Sequence, residues 1–243
     1  MTRAKRAILV SGVWCLFAAL TLSGSGAWAS PAPAQSGDLQ SVIAQLNAAS
    51  AKFKSAQADF SWDTYQAVVQ VHDTQTGVIY FERVGGATRM GAYFQAQGSQ
   101  TPTKIVVYNG GQLEYYQPSL KQMDIYRAGA NSGQMESALT LGFGGSGTDL
   151  EKNWDVSLLG REKINGTDTV KLDLKPKDPK IQQNFTHITI WVDPTRSISL
   201  KQIAYEPSGD QRTCLYTNIK YNQAVNPDLF HIKPVSGTDI RTH

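Results

Sequence analysis

The chain has 243 residues and a formal charge of +3 from 23 basic and 20 acidic side chains. One domain of about 200 residues is large enough to rest on a hydrophobic core alone. The basic excess lies in Arg3, Lys5 and Arg6; without them 20 basic residues face 20 acidic ones, a balance that gives no footing for a nucleic-acid or anionic-membrane partner.

Those three residues open a secretion signal. Residues 7–22 are apolar, with Trp14, Leu16 and Phe17, and the following small residues end in Ala27-Trp28-Ala29, an A-x-A cleavage pattern. Cleavage after Ala29 is expected, with residues 1–29 as signal peptide and a soluble product outside the cytoplasm. The alternative is an uncleaved anchor, which Ser11 and Gly12 within the run disfavour. Bulky Trp14 stands where a bacterial lipoprotein signal needs a small residue before its lipidated cysteine, so acylation of Cys15 is not expected. Cleavage leaves only Cys214, and no intramolecular disulfide can form. Its thiol is either buried in a strand, the favoured reading, or used with another molecule.

Residues 30–37 have the Pro/Ala/Ser composition of a flexible leader, and a single domain is expected over 38–243. Leu39, Val42, Ile43, Leu46 and Phe53 recur at helical spacing, with Ser36 or Asp38 as cap. The pattern then switches to period two, as where Val170, Leu172 and Leu174 alternate with Lys171, Asp173 and Lys175. Turn signals fall at residues 73–77, Gly85-Gly86, Asn109-Gly110, Asn165-Gly166, Asp193-Pro194 and Ser208-Gly209. Strands are predicted near 57–72, 78–84, 88–97, 104–109, 112–117, 121–126, 154–163, 168–175, 186–193, 197–206 and 211–221, about eleven in one antiparallel sheet. Residues 132–141 interrupt them with Met135, Ala138 and Leu139 at helical spacing, and Gly142 as a stop. The class is mainly β with few α. So wide an apolar sheet under two or three helices suggests a container for a ligand.

Gly142-Phe143-Gly144-Gly145-Ser146-Gly147 matches G-x-G-x-x-G in form, but it follows a helix outside any strand-loop-helix-strand unit, so a loop able to hinge a lid is the better reading. His72, His187, His231 and His243 stand singly, without metal-ligand spacing. No Gly-x-Ser-x-Gly elbow marks a nucleophile, and neither an enzyme nor a cofactor is expected. Asn165 and Asn184 match the glycosylation sequon at turn or strand-start positions where Asn is common. Aromatic and methionine side chains crowd the first half, as suits an adaptable apolar cavity. The candidate lining residues are Phe60, Trp62, Phe81, Met90, Phe94, Tyr108, Leu113, Tyr115, Met123, Met135, Leu139 and Phe143.

Val107-Tyr108-Asn109-Gly110-Gly111-Gln112-Leu113-Glu114-Tyr115-Tyr116-Gln117-Pro118 resembles the central hairpin of LolA-like periplasmic lipoprotein carriers. Phe53-Lys54-Ser55-Ala56-Gln57-Ala58-Asp59-Phe60 is similar to that family's helix-to-strand junction. Asn218-Ile219-Lys220-Tyr221-Asn222, with Phe230-His231-Ile232-Lys233-Pro234 and Gly237, is similar to its closing segment. The resemblance implies an unclosed antiparallel β-barrel with a helical lid over a hydrophobic cavity. It implies a task in the periplasm as well: accepting the acyl chains of lipoproteins from an inner-membrane donor complex and passing them to an outer-membrane acceptor, as a monomer. In the family an early strand ends in an arginine that holds the lid shut. Arg83 occupies the matching place, although Val84-Gly85-Gly86 replaces the usual proline, and Arg89 is the alternate. A lipid-sensing or regulatory module acting through a protein partner is the competing reading, and a hydrolase on the same scaffold is the third.

Overall fold

The computed structural model describes residues 36–96, 98–127, 129, 136 and 139–243. The expected signal peptide, nearly all of the expected leader, Met135 and most of the helix expected over 132–141 lie outside the described residues. Glu136 and Leu139 are helical, and the Thr140 amide donates to the Glu136 carbonyl at 2.8 Å. Residues 34–243 form one compact unit.

Helix α1 (Ser36–Ser50) opens it. Its periodic residues Val42, Ile43 and Leu46 are buried, and the helix stops three residues before Phe53. Amides of Lys52 and Phe53 bond to the Ala49 and Ser50 carbonyls, a tight exit that turns Phe53 into the core. The strands are β1 (Ser55–Gln66), β2 (Val71–Val84), β3 (Ala87–Gln95), β4 (Pro102–Asn109), β5 (Gln112–Gln117) and β6 (Gln122–Arg127), then β7 (Trp154–Ile164), β8 (Thr167–Pro176), β9 (His187–Asp193), β10 (Ile198–Tyr205), β11 (Gln211–Tyr221) and β12 (Asp239–Thr242). They make one sheet in the order β12-β6-β5-β4-β3-β2-β1-β11-β10-β9-β8-β7, so β12 and β7 are its two open edges. Two short helices, α2 (Gly147–Asn153) and α3 (Pro179–Gln182), lie between β6 and β7 and between β8 and β9.

All eleven predicted strands are present. The twelfth, β12, is additional to them: it is four residues long and pairs parallel to β6, through Ile240 opposite Met123. The first hairpin turn also differs from expectation. Residues 73–77 are strand, and the chain reverses instead at 67–70, where the Gln70 amide donates to the Gln66 carbonyl at 2.8 Å and Gln70 takes φ 55°. Gly77 is there for space: a Cβ would lie 2.2 Å from the Tyr93 carbonyl oxygen and 2.7 Å from the Phe60 ring.

Alternation gives the sheet an inner face that carries the core. Register fixes which residues share it: Phe60 pairs with Gly77 and Tyr216, Gly77 with Phe94, and Trp62 with Gln75 and Cys214. Cys214 pairs with Gln202, Gln202 with Ile190, and Ile190 with Leu172. Two apolar clusters lie along this face. One joins Phe53, Phe60, Ile79, Phe81, Met90, Phe94, Tyr108, Phe143 and Tyr216. The other sets Val42 and Leu46 of α1, with Leu141 and Leu150, on Trp154, Leu172, Leu174 and Ile190. Helix α1 thus roofs β8 and β9, and the glycine-rich segment 142–147 roofs the region beside β1 and β2.

Candidate functional site

Where the roof meets the sheet, a small polar knot joins three chain segments. Arg83, next to the last residue of β2, donates from Nη1 to the Ser50 carbonyl at the end of α1, at 2.6 Å, and from Nη2 to the Gly144 carbonyl. Ser50 donates its hydroxyl to the same Gly144 oxygen at 2.6 Å. The Arg83 amide bonds to the Lys54 carbonyl at 2.8 Å, and its guanidinium lies over the Phe53 ring, 5.4 Å from the centroid. A planar fork of donors suits two carbonyls from different segments, which one ammonium would serve less well. Arg83 Nε is buried without a hydrogen-bond partner, so the knot is not ideal packing.

The glycine-rich segment is held from its other side. The Gly144 amide donates to the Ser197 carbonyl at 2.8 Å, and the Ser197 hydroxyl to the Gly145 carbonyl at 2.7 Å. Gly144 is required: φ is 76°, and a Cβ would sit 2.3 Å from the Phe53 ring. At Gly147 a Cβ would meet the Ile43 carbonyl oxygen at 2.6 Å, which is how α1 approaches this segment so closely. These glycines allow close packing; the phosphate cradle that the motif resembles would need a preceding strand, and here the segment follows a helical turn.

Between knot and sheet the contacts are apolar. Phe143 stacks on Phe81, centroids 4.1 Å apart and planes within 11°, and meets Tyr216 edge-on at 4.8 Å. Phe60 and Phe94 pack edge to face at 4.9 Å. Burial pushes the Cys214 thiol up to about 11, and raises the Tyr216 phenol well above its usual range; the hydrogen bond between them only partly offsets this for the thiol. Around Phe143 the inner face is therefore neutral and mostly apolar at physiological pH.

Of the candidate lining residues, Phe60, Phe81, Met90, Phe94, Tyr108 and Phe143 meet in one buried cluster, with Trp62, Leu113 and Leu139 packed against it. Tyr115 shares the inner face through its pairing with Val106. Met123 does not join them: it pairs with Tyr116 on the opposite face, where the Val235 amide donates to the Tyr116 hydroxyl at 3.2 Å. Alternation alone could not tell the two faces apart, since both are covered on this side of the sheet. Met135 lies outside the described residues. Of the two arginines, Arg83 makes the roof contacts, whereas Arg89 pairs with Glu82 and lies 4.4 Å over the Phe230 ring on the opposite face. Sequence reasoning missed Ser50, Ser197 and the Gly144 carbonyl, because a residue that acts through backbone acceptors leaves no motif.

Among the described residues no helix is long and apolar enough to cross a membrane, and no three His, Cys, Asp or Glu side chains group closely enough to hold a metal. Comparison with known proteins gives concordant results. An outer-membrane lipoprotein carrier protein of Nitrosomonas europaea is 26% identical over 211 residues, which is 86% of this chain and 91% of that protein. Among solved structures, an uncharacterized conserved protein of Thermus thermophilus matches with TM-score 0.52 at 10% identity, over 84% of this chain and 98% of its own. MucB matches with TM-score 0.50 at 18% identity, over 82% and 64%. At such identities these two likenesses establish the fold alone. The family model described as outer membrane lipoprotein carrier protein LolA matches residues 51–233, three quarters of the sequence, and the chain belongs to the LolA family.

Proposed function

We propose that the chain is a periplasmic carrier which takes the acyl chains of lipoproteins, or related lipids, into the apolar space between the sheet and its roof and passes them towards the outer membrane. The carrying observation is the pairing of a directional latch at Arg83 with the purely apolar Phe81–Phe143 stack beneath it. Acyl chains gain ~0.8 kcal/mol per CH₂ removed from water, so even a few methylenes match the few bonds that close the roof. Cargo would take the place of Phe143 against Phe81 while Arg83 releases Ser50 and Gly144. The inner-membrane donor, the outer-membrane acceptor, the monomeric state and the cleaved signal at Ala29 belong to the same reading. No cofactor and no catalytic residue is needed.

The test is native mass spectrometry of the protein purified from its own periplasm. Co-purifying acylated species that detergent removes are expected. Uniformly empty protein held by a stable protein partner would instead favour a regulatory module.

A further inference from the structure

The inner face is not apolar along its whole length. From the Arg83 end outward, β1 presents Ala56, Ala58, Phe60, Trp62 and then Thr64, while β2 presents Phe81, Ile79, Gly77, Gln75 and then Asp73 in register with them. On β4 the same face runs Tyr108, Val106, Lys104, with Lys104 opposite Phe94, and on β11 it runs Tyr216, Cys214, Arg212. The last rungs, at the end remote from the latch, are therefore polar or charged. Phe81 and Gln75 are separated by about 20 Å of strand, on the order of one acyl chain.

Lys104 is the unusual member of this rim. Its Nζ lies 3.7 Å from the centroid of Phe94, which belongs to the buried cluster, and donates to the Gln75 side-chain oxygen at 2.8 Å. Among the described residues no carboxylate lies within ion-pair distance of it. The neighbouring charges are already engaged: Arg212 pairs with Glu206, and Asp73 accepts a hydrogen bond from the side-chain amide of Gln75 at 2.9 Å. Desolvation pulls the Lys104 ammonium below its ordinary value, and Asp73 beyond Gln75 opposes this only in part. A half-buried cation that leans on the last aromatic ring of an apolar track, with neutral partners only, is placed to receive an anion attached to an apolar tail.

We infer that the groove accepts amphiphiles with an anionic headgroup, the tail lying along Phe60, Phe94 and Trp62 towards Phe81, and the carboxylate or phosphate held by Lys104. This rests on the carrier reading but goes beyond it, because the acyl portion of a cargo supplies no such charge. The test is equilibrium binding of palmitate, palmitoyl-lysophosphatidylglycerol and neutral monopalmitin to the delipidated full chain and to Lys104→Gln and Lys104→Arg, each variant checked by its thermal melt. Lys104→Gln should weaken palmitate, the lysophospholipid or both about tenfold and leave monopalmitin within about twofold, while Lys104→Arg retains anion binding. Loss for one anion alone identifies its headgroup as the ligand class. Equal losses for all three probes, or none, would overturn the role of Lys104 and leave the carrier reading intact. Failure of all three to bind the wild-type chain would overturn both.

Discussion

Arg83 holds the roof with two charge-assisted bonds to backbone carbonyls, each typically worth about 1.5–3 kcal/mol, against the cost of its buried, unpartnered Nε. Arg83→Leu relieves that cost and takes one donor from each acceptor, leaving the Gly144 oxygen with the Ser50 hydroxyl and the Ser50 oxygen with the Phe53 amide. We expect a net loss of about 2 kcal/mol in urea unfolding, faster amide exchange in the last turn of α1, and slower cargo transfer in a reconstituted assay. Arg83→Lys should recover little of this, because a single ammonium replaces a planar fork. Unchanged exchange in Arg83→Leu would remove the residue from the latch. Cys214 gives a second prediction at the level of single residues. With its thiol pushed up to about 11 it is protonated at neutral pH, so a thiol reagent at pH 8 should label it only after unfolding. The proton is held more tightly in the folded state, so the associated stability is complete below the ordinary thiol value near 9.0 and falls as pH rises from there towards 11. Cys214→Ala should flatten that alkaline decline in a pH series of urea melts.

The hairpins show how far local chemistry dictates the elements. Asp193 closes the β9–β10 turn by accepting from the Thr195 amide at 2.8 Å, the Thr195 hydroxyl at 2.6 Å and Arg196 Nε at 2.6 Å. Burial raises its carboxyl, but these bonds outweigh burial and hold it below the usual carboxylate range. This stability is present above the unfolded value near 3.8 and lost as pH falls through the lower folded value. Asp193→Asn should therefore cost about 1–2 kcal/mol at neutral pH and less in acid, and it should loosen Ser197, which anchors Gly144. The β1–β2 turn lacks any such signature. Val68, 89% exposed, and Val69 stand at a tip that ordinary turn residues would occupy, and Gln70 adopts a left-handed conformation. Gln70→Gly should thus raise the unfolding free energy by ~0.5–1 kcal/mol, and a loss would show that the side chain itself secures the turn.

Those two hairpins mark the boundary of what is legible in the sequence. Strands with one buried and one solvated face, such as β8, carry their period openly, and Asp193-Pro194 announces a turn that the structure contains. Gly77 misleads because a glycine that makes room for the Phe60 ring looks, in sequence, the same as one that permits a turn. Strand β12 is illegible because four residues draw their stability from β6 and from the closing chain rather than from their own pattern. At the site, the aromatic lining is legible through residue type, but the face of Met123 is not, since Tyr115 and Tyr116 are both at least partly buried and period two then loses its contrast.

Over the whole molecule, one unclosed sheet carries a roof held by the Arg83 knot on one side and by Ser197 on the other, an arrangement that suits two opposed demands of the proposed carrier. The apolar clusters are closed, with Phe81 and Phe143 shielded from water, and the roof rests on glycine-rich chain and a few directional bonds, which the proposed cycle would break. In the proposed carrier cycle, acyl chains enter by separating these two surfaces. Hydrogen exchange of the delipidated chain, with and without a saturating tripalmitoylated lipopeptide, reads that separation segment by segment. Altered protection is expected in the last turn of α1 and in residues 142–147, with β8 and β9 unchanged beneath α1. Binding that leaves both roof segments untouched, or a lipopeptide that does not bind at all, would contradict entry beneath the roof.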